Sequence, residues 1–106
     1  MSQHDFTQIF NLYPALIQQM PDVFTSHEFI LRLAQQHQAL YIEALHAYHH
    51  LPNTQNPTPF MTVHGILAKR LNAFPQLVTH LGEVESIDIF TQENRCAQWQ
   101  RVQPTR

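Results

Sequence analysis

Eight histidines and one cysteine stand in 106 residues, so imidazole is the side chain with the widest chemical range here. The densest grouping is Glu43-x2-His46-x3-His50, with His49 beside it. On a helix that spacing brings a carboxylate and two imidazoles near one face, a set suited to zinc or nickel. The competing reading is electrostatic, because protonated histidines near a helix C-terminus are stabilised by the negative end of the helix dipole. No HExxH, no cysteine pair and no second histidine motif accompanies the cluster. The expectation is therefore no resident metal or other cofactor, with Glu43, His46 and His50 as the weak candidate set.

The remaining reactive side chains suggest even less. His27 lies in a capping turn, His37 among glutamines, and His80 before an expected helix stop. His64 sits in an apolar helical pattern, where a satisfied core histidine is the plain alternative. Cys96 beside Ala97 reads as a small buried hydrophobe. Only Gly65 and Gly82 are present, which leaves no glycines for a phosphate-cradling loop or a dinucleotide fingerprint. No nucleophile, base and orienting group can be assembled. The chain is expected not to be an enzyme.

Composition narrows the class. Hydrophobic residues make up 43% and the net charge is −2, which excludes a disordered chain. No apolar run approaches the ~20 residues of a membrane helix, and no basic segment leads into an apolar one as in a secretory signal. A single cysteine fits a reducing cytoplasm. Charged residues are scarce at 13%, and glutamine, at 13 positions, takes much of their place. Five of the six bases fall in residues 69–106: Lys69, Arg70, Arg95, Arg101 and Arg106. They face Glu83, Glu85, Asp88 and Glu93, so the excess there is one positive charge.

These residues need elements to position them. Phe6, Ile9, Phe10, Tyr13, Ile17 and Met20 recur at helical spacing, with Pro14 expected to kink or split the segment. Thr25-Ser26-His27-Glu28 fits a capping box ahead of Phe29, Ile30 and Leu33. A further helical pattern covers Gln38–His49, and the intervening QQHQ, which contains no breaker, leaves two helices or one bent helix open. LPNTQNPTP at 51–59 is a loop, and its Thr58-Pro59 caps the next helix. That helix carries Val63, Ile66, Leu67, Leu71 and Phe74, with Gly65 inside at a cost of about 1 kcal/mol relative to alanine. A short helical turn through Leu77 and Val78 is expected to stop at Gly82. From Glu85 the period becomes two, through Ile87 and Ile89, and Arg95–Val102 alternates likewise. The expected fold is α+β, mainly α: three to five helices followed by a C-terminal two-stranded hairpin. It forms one domain over 1–106, with a helical segment at 1–22, core helices at 24–50, a loop at 51–58, a third helix and turn at 59–81, and the hairpin at 84–102.

The stretch TVHGILAKRLNAFPQLVTHLGEVESIDIFTQENRCAQWQRV, residues 62–102, resembles the winged helix-turn-helix. FTSHEFI at 24–30, PFMTVHGILAKRL at 59–71 and SIDIF at 86–90 also resemble small prokaryotic proteins from which no activity carries over. The turn of a helix-turn-helix is usually 3–4 residues, whereas about nine separate the helices here. The winged-helix resemblance implies a recognition helix at about 59–73 and a wing in the hairpin. Lys69 and Arg70 would then meet phosphates, His64 and Asn72 could reach base edges, and Arg95 and Arg101 would add wing contacts. Lys69 and Arg70 also complement a helix C-terminus, and charges on a hairpin also blunt an exposed edge. So few bases imply a homodimer if DNA is the partner. The alternative is a protein-interaction or oligomerisation module, self-associating through residues 6–20 or through an apolar patch at Phe60 and Met61. No membrane partner is expected.

Overall fold

The computed structural model describes residues 4–52, 54 and 57–102. It is an α+β fold of five helices and a three-stranded antiparallel sheet. Two short helices open it, α1 (Thr7–Phe10) and α2 (Tyr13–Gln19). Strand β1 (Val23–Thr25) follows, then α3 (Ser26–Gln36), α4 (Gln38–Ala47) and α5 (Pro59–Arg70). A 3-10 turn (Leu71–Ala73) leads into the hairpin of β2 (Val78–Ile87) and β3 (Glu93–Arg101). Among the described residues no helix is long and apolar enough to cross a membrane.

The expected helix starts are met by their own side chains. Thr25 Oγ1 accepts from the Glu28 amide at 3.1 Å, and Glu28 Oε1 accepts from the Thr25 amide at 2.8 Å, which closes the capping box of α3. Thr58 Oγ1 accepts from the Met61 amide at 3.2 Å, with Pro59 leading α5. QQHQ separates two helices rather than joining them. His37 leaves the helical region at φ −131°, and the Gln38 side-chain amide donates to the Gln35 carbonyl near the end of α3. Pro14 occupies the first turn of α2, where its missing N–H costs no helical bond. The break falls earlier, at Asn11 and Leu12.

The sheet corrects the expected hairpin in two ways. It has three strands, because Val23, Phe24 and Thr25 pair with Gln100, Trp99 and Gln98 along the free edge of β3. Three residues are too few to show an alternating pattern, and their partner lies about 75 positions away in sequence. The second correction concerns residues 77–82. Leu77 and Val78 close a turn on the Phe74 carbonyl, and strand β2 already begins at Val78. Gly82, at φ +128°, marks a bulge between the pairs His80↔Trp99 and Gly82↔Gln98, with Leu81 the extra residue. Its left-handed freedom serves the strand, not a helix end.

The core joins both layers. Ile9, Tyr13, Leu16, Phe24, Phe29, Ile30, Leu33, Val63, Leu67 and Leu71 are all at most 1% exposed, and Trp99 is 3% exposed. Two buried hydrogen bonds link distant segments. The Tyr13 hydroxyl donates to the Leu67 carbonyl at 2.6 Å, and Trp99 Nε1 donates to Ser26 Oγ at 2.9 Å. Phe6, Tyr13 and Ile17 are thus core of this chain, and Phe10 packs half-buried against it. Self-association through residues 6–20 is therefore set aside, since their apolar face is already covered within the monomer.

Candidate recognition groove

α5 and the hairpin do not close fully on each other. Between them, over the first turn of α3, lies a cavity of about 630 Å3. α5 supplies Phe60, His64, Gly65 and Lys69 to one wall, and the 3-10 turn adds Asn72. The hairpin supplies Glu83, Asp88, Phe90 and Arg95 to the other, with Trp99 further along β3. Ser26 and His27 of α3 complete it.

The cavity owes its far rim to one tight turn. Asp88 Oδ1 accepts from the amides of Phe90 and Gln92 at 2.9 and 3.0 Å, and its own amide donates to the Gln92 carbonyl. Thr91 takes φ +64° to complete the reversal, a conformation β-branched residues rarely adopt. The turn sets the Phe90 ring 4.3 Å from that of Phe60 and nearly parallel to His64, at 9° and 5.9 Å. Phe60 and Phe90 are each 43% exposed, and Met61 is 51% exposed. The apolar patch expected at Phe60 and Met61 therefore extends onto the hairpin.

His64 is both lining and strut. Its Nε2 lies 2.7 Å from the Tyr41 hydroxyl, and the two rings stack at 5.8 Å. Burial pulls its imidazole down to about 4, with the Asp88 carboxylate opposing that shift and His27 adding to it. Burial also lowers His27, whose Nδ1 is buried without a hydrogen-bond partner; Asp88 and a backbone bond at Ile87 oppose that shift. Tyr41 is pushed up to about 12 by burial, so its hydroxyl stays protonated at neutral pH. Neither histidine adds positive charge to the cavity at neutral pH.

Of the six residues singled out for nucleic acid, the fold gathers four: His64, Lys69, Asn72 and Arg95 line this one cavity. The other two are engaged elsewhere. The Arg70 guanidinium lies over Phe10 at 4.4 Å and over Phe74 at 5.7 Å. Arg101 pairs in register with Val78, at the opposite end of the hairpin from the 88–92 turn. There it donates to the Gln18 carbonyl and to Asp22, each at 3.0 Å, and ties β3 to the N-terminal segment. Arg95 is exposed at the surface, where its guanidinium donates to the more exposed Glu85 carboxylate at 3.3 Å.

The Glu43, His46 and His50 set does not assemble. α4 ends at Ala47, so His50 leaves the face that the spacing assigned to it. His46 instead stacks on His49 at 4.5 Å. Among the described residues no cluster of three or more His, Cys, Asp or Glu side chains could hold a metal ion.

His27, Asp88, Phe90 and Trp99 line the same site without being singled out by the sequence, and Tyr41 holds His64 from α4. Their only local signal was the isolated aromatic after the SIDI alternation, since convergence from three elements leaves no spacing to read. Comparison of the chain with family models, with curated proteins and with solved structures gave no match.

Proposed function

We propose that the chain is a non-enzymatic binding module of winged-helix type, with α5 as reading helix and the hairpin as wing, and that its groove engages DNA in a regulatory role. The observation that carries this reading is the convergence of His64, Lys69, Asn72 and Arg95 on the facing walls of one groove. The third strand supports it mechanically. β1 zips onto the outer edge of β3 at residues 98–100, so the end of the hairpin away from the 88–92 turn is held by a third strand. Lys69 and Arg95 meet phosphate in this arrangement, while Asn72 and His64 have the polar edges that pair with purines. The test is duplex binding by the Lys69→Ala/Arg95→Ala double variant, which should lose at least tenfold in affinity at low salt. Binding of random duplex equal to that of the unaltered chain ends the DNA reading.

A protein partner is the second reading, favoured by the exposed cluster of Phe60, Met61 and Phe90 at the mouth of the same groove. Aromatic and methionine side chains are enriched at such contacts. That complex would survive high salt, whereas the DNA complex would not.

A further inference from the structure

We infer that the cavity between α5 and the hairpin is a binding site for an uncharged, flat aromatic or heteroaromatic small molecule. This goes beyond the recognition role above and does not rest on it.

The first observation is Gly65. It lies in mid-helix, where glycine costs about 1 kcal/mol relative to alanine. Its φ is not positive, and a Cβ built on it would meet nothing within 4 Å. Neither the backbone nor any described neighbour requires a glycine there. What its missing side chain leaves is open space in the cavity wall. An occupant can come directly against the helix backbone at that point.

The second observation is the character of the walls. Phe60, His64 and Phe90 line the cavity as one aromatic cluster, their ring centroids 4.3–5.9 Å apart, and Trp99 lines it from β3. Aromatic rings prefer offset-stacked or edge-to-face partners, worth about 0.5–1.5 kcal/mol beyond area burial. The volume, about 630 Å3, falls within the ≈ 300–1,000 Å3 typical of small-molecule sites.

The third is charge. Lys69 and Arg95 are matched by Glu83 and Asp88 around the same space, which favours a ligand without net charge. Polar anchoring falls to His64, one of whose ring nitrogens is held by Tyr41 while the other has no described partner, and to the Asn72 amide.

The chain supplies its own reporter, because Trp99 is its single tryptophan and lines the cavity. The full chain, labelled with 15N and free of nucleic acid, is titrated with 2-naphthol while the one indole N–H cross-peak is followed. The peak should shift and saturate by millimolar concentration. Decahydro-2-naphthol, of the same skeleton but neither flat nor aromatic, should bind about tenfold more weakly, as expected when one stacking contact is lost. Gly65→Leu should fill the space and reduce naphthol affinity at least tenfold while the rest of the spectrum stays folded. Phe90→Ala removes a ring from the opposite wall and should do the same, so a poorly folded Gly65→Leu leaves the test intact. An unmoved Trp99 peak, equal binding of the saturated analogue, or full binding in both variants overturns the inference. Failure to bind duplex would leave it standing.

Discussion

Burial holds the His64 imidazole near 4 while its Nε2 keeps the Tyr41 hydroxyl at 2.7 Å. In the unfolded chain the same group titrates near 6.5. Between pH 6.5 and about 4 the unfolded state therefore binds more protons, and stability falls as pH falls through that window. His27 is shifted in the same direction. A melting-temperature series from pH 7 to 4 should show this decline, and His64→Gln should flatten it while lowering stability at pH 7. A profile unchanged by His64→Gln would assign the acid sensitivity to other groups. Tyr13 is the second residue to test. Its hydroxyl bonds the Leu67 carbonyl inside the core, so Tyr13→Phe should cost about 1–2 kcal/mol in denaturant unfolding. A cost near zero would show the bond to be dispensable.

The N-terminal helices behave as part of the core rather than as an appendage. α1 and α2 bury Ile9, Tyr13, Leu16 and Ile17, and Arg101 of β3 reaches back to Gln18 and Asp22. Deletion of residues 1–22 should yield a chain without cooperative unfolding by circular dichroism. A folded monomer would show the segment to be a removable interface instead. Other elements explain which parts of the fold were legible. The starts of α3 and α5 could be read because capping chemistry is local, with every participant within three residues. β1 could not, because its pairing with β3 is decided by a chain segment far along the sequence. Gly82 reads locally as a helix stop, since left-handed freedom serves both a helix end and a bulge. Only the pairing of β2 with β3 chooses between them.

For the molecule as a whole, salt is the informative variable. Lys69 and Arg95 are the exposed bases that line the groove, whereas Arg70 lies over Phe10 and Arg101 is tied back to Asp22. Two phosphate contacts per chain give a slope of log K against log salt of roughly −2, a loss of about twelvefold between 50 and 200 mM salt. A dimer bound through two such faces should double that slope. A flat salt response would transfer the groove to a protein partner.

The sequence by itself determined the class of the protein: an α+β chain with helices first and a hairpin last, its bases concentrated in the final third. Those features are local or compositional, and capping, periodicity and charge counts report them directly. The tertiary structure alone decided which of those bases share a site. Lys69 and Arg70 are neighbours in the chain, yet one lines the groove and the other lies over Phe10, because successive helical residues point about 100° apart. Arg95 and Arg101 lie on one strand, yet only the first is near the 88–92 turn. The groove itself exists because α3, α5 and the hairpin meet without filling the space between them, and no single stretch of sequence contains that gap.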